Sequence, residues 1–563
     1  MSYQAKRFTA VRSADHDAAT DARHPVVIVG AGPVGMTLAL DLAQQGVPVV
    51  VLDDDDKLST GSRAICFAKR TLEIWDRLGV GDAMVNKGVS WNVGKVFFRD
   101  ALVYNFDLLG ESGHRRPAFI NLQQYYAEGF LFDAVATAPL VDVRWHSRVV
   151  AVKNDAGGVT LRVATPHGSY AIDADYVVAC DGSRSTVRGL LGLESKGQTF
   201  RDRFLIADVK MAAPFPSERW FWFDPPFHPN QSVLLHRQPD DVWRIDFQLG
   251  WDADPEEEKK PERVRPRVQA LLGPEAQFEF EWISVYTFAC MRMERFRHGR
   301  VLFAGDSAHL VSPFGARGAN SGIQDADNLG WKLGRVVRGD APDALLDSYA
   351  AEREFAADEN IVNSTRATDF ITPKSEISLL FRNAVLELAK DHPFARKLVN
   401  SGRLSLPATL HTSALNTPDV NVFFGSMVPG APAVDAPVFV DGKQQWFLDL
   451  IGGEFVVARV SRVTLRSFEP SSLAGEGWVR GLVESNDAVA LAVHHPLTLT
   501  LSRDGRGDKT VHASTEWIAR YDAQPGTTYV FRPDQHVCAR WRAYDAQAVR
   551  AAIAHACGKV KST

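Results

Sequence analysis

The sequence predicts an α/β protein: a parallel-sheet unit at the N-terminus, a mostly antiparallel sheet inserted into it, and a further α/β unit at the C-terminus. Three observations predict this. A branched apolar run, a glycine turn and an apolar-periodic stretch follow one another over residues 25–46, segments of period two fill the region after residue 200, and strand and helix signals resume beyond residue 421. A chain of 563 residues also exceeds what one hydrophobic core carries, because domains run to about 100–200 residues.

The opening stretch, residues 1–24, is polar, mixed in charge and without the apolar centre of a signal peptide, so it reads as a flexible arm. Composition is that of a globular enzyme, 45% hydrophobic and 23% charged. A formal net charge of −5 without long basic runs lacks the electrostatic footprint of a nucleic-acid binder. No apolar stretch approaches the ~18 residues of a membrane span, and the expected location is the cytoplasm. The five cysteines (Cys66, Cys180, Cys290, Cys538, Cys557) form no CxxC pair and no zinc-type spacing. They are expected to be reduced and structural, and no metal is expected.

Residues 25–46, PVVIVGAGPVGMTLALDLAQQG, read as strand, tight turn and helix. Gly30 permits the sharp turn, Gly32 lets a pyrophosphate approach the backbone, and Gly35 lets the helix pack on the strand, with Pro33 and Val34 between them. The helix N-terminus then offers unpaired N–H groups and a partial positive charge to phosphate. A second strand, VPVVVLD, ends at Asp53, placed to accept hydrogen bonds from a ribose hydroxyl. Asp54, Asp55 and Asp56 read as a solvated turn whose charge disfavours a 2′-phosphate. This unit binds a dinucleotide, and on its own it does not separate FAD from NAD.

Two later motifs separate them. DYVVACDGSRSTVR (175–188) is a buried strand breaking at Asp181-Gly182, and GRVLFAGDSAHLVSPFGARGAN (299–320) is another that ends in Gly305-Asp306 before a helical stretch. In the order of these three motifs, over roughly residues 25 to 400, the chain resembles the group A flavoprotein monooxygenases, the single-component aromatic hydroxylases, and most of all the phenol and 3-(3-hydroxyphenyl)propionate hydroxylases. The resemblance implies FAD as the cofactor, with Asp181 and Gly182 touching FAD and the nicotinamide donor and Gly305 and Asp306 holding the ribityl chain. Pro313, Gly318, Ala319 and Asn320 introduce a helix whose N–H groups face the flavin N1–C2=O edge, where negative charge gathers on reduction. By the same resemblance Arg63 and Gln124 (or its neighbour Gln123) contact the flavin, and Val149 supplies backbone contacts to the adenine. Arg317 stands where relatives carry glycine or glutamine, and Ser312 where many carry proline. Arg317 therefore reaches substrate or flavin, or forms a surface salt bridge.

Between the second and third motifs, the segments RFLIADVKMA, RWFWFD, QSVLLHRQ, VWRIDFQLG and FEFEWISVYTFA alternate like a half-buried antiparallel sheet. In the family such a sheet walls the substrate pocket, which makes Trp222, His236, Arg244, Phe247, Tyr286 and Phe314 its candidates here. Tyr286 resembles a tyrosine that phenol hydroxylases place near the substrate hydroxyl, and the Pro313 carbonyl is the backbone candidate for the reaction. His309, within the GDxAH pattern, reads as a structural neighbour of the flavin loop.

The resemblance implies that NADH or NADPH, docking transiently, reduces FAD, that O2 adds at flavin C4a, and that its distal oxygen passes to an electron-rich ring. The chain beyond residue 421 resembles the thioredoxin-like C-terminal domain of phenol hydroxylase-type members, without CxxC, which implies folding support or dimer contact. The expected layout is an arm to residue 24, a FAD-binding part over 25–190, a substrate sheet over 191–290, a return to the FAD-binding domain over 291–405, a linker over 406–420 and the C-terminal domain over 421–563. Two other readings compete: a FAD-dependent oxidoreductase that inserts no oxygen, and a non-enzymatic flavoprotein-like binding module.

Overall fold

A computed structural model of the chain describes residues 4–18, 22–61, 64–213, 215–399, 404–462, 497–503 and 506–559. The chain divides into two compact units. The first takes residues 1–110, 116–338 and 353–407, and the second residues 111–115, 339–352 and 408–563.

The first unit is built on a sheet whose parallel core runs Val301–Phe303, Gly168–Ala179, Ala22–Val29, Val49–Leu52, Val141–Arg144. Val26, Val27, Ile28, Val51, Val177 and Val178 are fully buried in it, as expected of β-branched runs covered on both faces. The glycine turn leaves the end of Ala22–Val29 and enters the helix Pro33–Gln44. That helix packs on the long helix Gly318–Val337 along a glycine seam. A Cβ at Gly322 would lie 2.7 Å from Val34 Cγ2, and one at Gly330 would overlap the Asp41 carboxylate. Glycine at both positions thus leaves room for the Val34 and Asp41 side chains of the first helix.

The second sheet of this unit has the order His309–Leu310, Glu279–Met293, Ser195–Lys210, Val242–Leu249, Ser232–Arg237, Arg219–Phe223, Val93–Phe98, Ala101–Asp107. Its pairs are antiparallel except Arg219–Phe223 with Val93–Phe98. The last two strands correct the expected layout, which assigned them wholly to the FAD-binding part. Their burial alternates along Val93–Phe98, so they pair wherever a free sheet edge matches that period, far away in sequence.

The N-terminal arm is also corrected. In its described residues Phe8 stacks on Trp145 with ring centroids 4.1 Å apart, its N–H donates to the Asp56 carbonyl at 2.7 Å, and its carbonyl lies 3.0 Å from His146 Nε2. One aromatic anchor in a polar stretch docks what composition reads as flexible.

The second unit carries a seven-stranded sheet, ordered Lys443–Trp446, Pro437–Val440, Arg506–Ala513, Leu497–Arg503, Val456–Arg462, Thr528–Phe531, Val537–Trp541. Every pairing here among the described residues is antiparallel. Its core stacks Trp517 on Tyr521 beside Phe447. Cys538 and Cys557 are buried thiols, and burial pushes Cys538 up to about 12.

Candidate cofactor and substrate site

Gly30 has φ +109°, and a Cβ there would lie 2.5 Å from the Cys180 carbonyl oxygen, so the first motif is pressed against the strand that leads into Asp181. A Cβ on Gly35 would overlap the Gly30 carbonyl oxygen, whereas one on Gly32 meets nothing within 4 Å. Two glycines therefore serve packing, and the third faces open space of the kind a pyrophosphate needs. Gly32 caps the helix, Pro33 opens it, and no acid stands in its first turn. The first intrahelical bond is Met36 N–H to Gly32 O at 3.0 Å, which leaves the N–H groups of Val34 and Gly35 for an anion.

Asp53 is placed differently from the simplest expectation. Its Oδ2 accepts from Ala31 N–H at 2.6 Å and its Oδ1 from Asp55 N–H at 2.9 Å. Burial draws its pKa up against those two bonds. The carboxylate thus pins the glycine turn, with a lone pair on each oxygen left for a ribose hydroxyl.

Asp181 accepts from Val187 N–H at 3.0 Å through Oδ2, while its buried Oδ1 has no partner, and burial raises its pKa. Gly182 follows at φ +76°. Gly305, at φ +67°, would place a Cβ 2.9 Å from Val34 Cγ2, and Asp306 after it is exposed. The turn is held from behind by Asp325, which accepts from Gly305 N–H at 2.9 Å, lies 2.6 Å from His309 Nε2 and pairs with Arg353 Nε at 2.6 Å. His309 is thus a buried brace of the motif.

The helix Gly318–Val337 begins beside this turn with no acid in its first turn, and its first internal bond is Ser321 N–H to Arg317 O. The N–H groups of Gly318, Ala319 and Asn320 therefore have no acceptor within the helix. The side chain of Asn320 is committed elsewhere: it accepts from Ala68 N–H and Thr71 Oγ1 and donates to the Cys66 and Ala316 carbonyls. Only its backbone remains for a flavin. Gln124 accepts from Ala64 N–H at 3.1 Å and donates to Glu128 at 2.8 Å, and Gln123 donates to the Pro239 carbonyl. Val149 is buried within the strand Arg148–Asp155. Arg63 lies outside the described residues.

The loop 312–317 joins this helix to a cavity. Pro313 is exposed, and its carbonyl accepts from Ala316 N–H at 3.1 Å. Ser312 is buried and bonded to Thr368 Oγ1. Arg317 is buried and donates to the Phe314 carbonyl at 3.0 Å, in room that Gly315 leaves by having no side chain. Burial excludes the surface salt bridge. The cavity is lined by Phe106, Arg219, Phe221, Phe314, Gly315, Ala367, Ile371 and Leu404.

Strand register sorts the wall candidates. Arg219, His236, Arg244 and Asp208 lie opposite one another in one cross-strand row, followed on the same face by Phe221, Leu234, Asp246 and Ile206 and then by Phe204 and Tyr286. Trp222 and Phe247 have the other parity and pack in the apolar cluster of the opposite face with Val233, Leu205 and Ile245. They are not wall residues, because a side-chain period of two sends neighbours to opposite faces. His236 and Arg244 are on the cavity side but buried, and Arg244 is bound to Asp208 by two bonds of 2.7 Å. Phe314 lines the cavity, edge-on to Phe204 at 5.0 Å. Tyr286 packs against the same cluster, its hydroxyl held neutral by burial and by nearby Asp246.

Two residues of this face were missed from sequence, Arg219 and Asp246. In sequence Arg244, Asp246 and Gln248 alternate with Trp243, Ile245 and Phe247, and the structure adds that Val242–Leu249 is buried throughout. A strand with polar residues on one wholly buried face marks a site.

A parallel sheet with a glycine turn, an Asp-Gly turn beside it and a Gly-Asp turn opening a helix define a dinucleotide-binding flavoprotein. The orphaned Asp181 oxygen, the open approach at Gly32 and the free N–H groups of two helix starts all suit FAD. The chain belongs to the FAD binding domain family, which residues 23–364 match. It is 33% identical over 406 residues, 69% of each chain, to the 3-(3-hydroxy-phenyl)propionate/3-hydroxycinnamic acid hydroxylase of Mycolicibacterium smegmatis. It is 36% identical to a probable NADH-specific resorcinol 4-hydroxylase of Rhodococcus jostii, over 58% of this chain and 62% of that protein. Among solved structures, the flavin-dependent monooxygenase PieE in complex with FAD and substrate superposes with a TM-score of 0.76 at 21% identity, over 96% of this chain and all of PieE. The p-nitrophenol 4-monooxygenase PnpA of Pseudomonas putida gives 0.60 at 26%, over 68% of this chain and 97% of PnpA.

Proposed function

We propose that this chain is a FAD-dependent monooxygenase that consumes NADH or NADPH and O2 to hydroxylate a phenolic or other electron-rich aromatic substrate. One observation carries the reading: the loop that opens the helix Gly318–Val337 also walls the apolar cavity through Phe314 and Gly315. An aromatic ring bound there lies next to the helix start that receives the flavin. The names of the hydroxylase relatives support the same chemistry.

Bound FAD supplies oxygen transfer from O2 to the ring with electrons from the nicotinamide donor. The chain's own residues bind, orient and exclude water. Val34 and Gly35 N–H groups hold pyrophosphate, Asp53 and Asp306 accept from the ribose and ribityl hydroxyls, and the Gly318, Ala319 and Asn320 N–H groups offset negative charge at the flavin edge. Phe106, Phe221, Phe314 and Ile371 hold the ring in an apolar setting, and the neutral Tyr286 hydroxyl and the Pro313 carbonyl face a substrate hydroxyl. A cytoplasmic location and a homodimer are part of the proposal.

The test is purified protein incubated with FAD, NADH or NADPH and a panel of phenols and phenolic acids. Bound yellow flavin, substrate-stimulated oxidation of the nicotinamide and a hydroxylated product support the reading. Hydrogen peroxide alone with every substrate would leave an oxidoreductase that inserts no oxygen, and absence of bound flavin would leave the binding module.

A further inference from the structure

The cavity beside the Phe314–Gly315 loop has seven apolar or glycine walls and one charge, Arg219. Arg219 is 8% exposed, and among the described residues its side chain makes no hydrogen bond and no ion pair. Its nitrogens are not among the sealed, unpaired polar atoms of the described residues, so the guanidinium keeps access to the cavity as a donor fork without a protein acceptor, the kind of group a ligand can complete.

The surroundings show why no protein group bonds it. Along its cross-strand row Arg219 stands between Gly94 and His236. Gly94 has no side chain, and the space is filled by the Phe106 ring that lies across it. His236 is buried, its Nδ1 lies 3.7 Å from Cys66 Sγ and its Nε2 is unpaired. Burial first, then Arg219 and Arg244, push His236 far below its usual range, so it adds no charge. Arg244 is neutralised by its two bonds to Asp208. The remaining acid, Asp246, has an unpaired Oδ1 and forms no ion pair. Burial raises it to about 6 against the pull of Arg244 and Arg219, so at pH 7 it is a carboxylate that offsets part of their charge through space without bonding Arg219. Tyr286 is neutral on the same face. The row thus delivers a guanidinium with no bonded acceptor to an aromatic-lined cavity.

We propose that Arg219 is the specificity residue of this site and receives an oxyanion carried by the aromatic substrate, a carboxylate or a phenolate. The assignment rests on the hydroxylase reading for the identity of the ring but not for the charge it recognises. A guanidinium offers a planar fork of donors to an oxyanion, and such charge-assisted bonds are the strong ones. Phe106, Phe221 and Phe314 then flank the ring that bears it.

The test is calorimetric binding to the FAD-loaded protein without nicotinamide, so that no turnover enters the result. One arm uses 3-phenylpropanoate against the neutral 3-phenylpropanamide. The other uses 4-nitrophenol above and below its own ionisation against nitrobenzene. In wild type, the anion of at least one arm binds about tenfold or more tightly than its neutral counterpart, and the arm that discriminates identifies the source of the oxyanion. Arg219→Met abolishes the discrimination and leaves neutral binding within about twofold, while Arg219→Lys keeps part of it. Equal binding of anion and neutral in both arms of wild type overturns the assignment, as does discrimination unchanged in Arg219→Met. Thermal melting of both variants separates loss of fold from loss of recognition. Anion binding without hydroxylation of any phenol overturns the proposed reaction and leaves Arg219 in place, and hydroxylation without anion discrimination does the reverse.

Discussion

His309 Nε2 lies 2.6 Å from the Asp325 carboxylate, with both side chains buried, and the same carboxylate oxygen accepts from Gly305 N–H. Burial works to raise the Asp325 pKa, but His309 and Arg353 outweigh it and hold the carboxyl below the usual range. A depressed acid contributes stability that is present above its unfolded value of about 3.9 and is lost as pH falls through the folded value. Asp325→Asn removes the charge and strands Arg353. It is expected to cost ~3–5 kcal/mol, read by urea denaturation at pH 7, together with weaker FAD retention on gel filtration. Wild-type stability in both assays would refute the bracing role.

The glycine turn separates packing from binding. Gly32→Ala meets nothing in the protein, so it is expected to fold and melt like wild type while its FAD dissociation constant, from flavin fluorescence, rises about tenfold or more. Gly35→Ala collides with the Gly30 carbonyl and is expected to lose both stability and flavin. Undiminished FAD affinity in Gly32→Ala would move the pyrophosphate elsewhere.

Asp246 titrates in the folded protein at about 6, raised by burial against the pull of Arg244. An acid raised on folding binds more protons in the native state between about 3.9 and 6, so stability falls as pH rises through that window and levels off above it. Asp246→Asn is expected to flatten this stretch of the stability curve between pH 4 and 7. A curve that keeps the wild-type shape assigns the titration to another group.

The two faces of the substrate sheet predict opposite phenotypes. Phe247→Leu, on the face turned away from the cavity, is expected to cost about 1–2 kcal/mol of stability with KM unchanged. Phe221→Leu, on the cavity side, is expected to raise KM for the hydroxylated substrate. Reversal of the pattern in steady-state kinetics would mean that the faces are misassigned.

In the C-terminal unit, fully buried Arg532 bonds Glu352 at 2.7 and 3.0 Å and also holds Asp534. Arg532→Met leaves both carboxylates buried without their cation, and a loss of ~3–5 kcal/mol is expected in chemical denaturation. No measurable loss would show that the network is not coupled to folding.

Read as a one-dimensional string, the chain determined its cofactor unit. The turns at Gly30–Gly35, Asp181-Gly182 and Gly305-Asp306 rest on backbone geometry, and a turn or a helix start is written in consecutive residues. His309 as a structural neighbour and the period-two strands were legible for the same reason. Tertiary structure alone decided the substrate wall. Choosing between Trp222 and Phe221, or Phe247 and Asp246, requires knowing which face of the sheet is turned to the cavity, and a single strand does not record that. It also decided that Asn320 spends its side chain inside the protein, that Asp53 pins the glycine turn with one bond to each oxygen, and that strands 93–98 and 101–107 join a sheet most of whose other strands lie more than a hundred residues away. A guanidinium without a bonded partner became visible only when the register placed Arg219 beside His236 and paired Arg244 with Asp208. Charge balance at a buried site is a property of the packed neighbourhood, not of any segment.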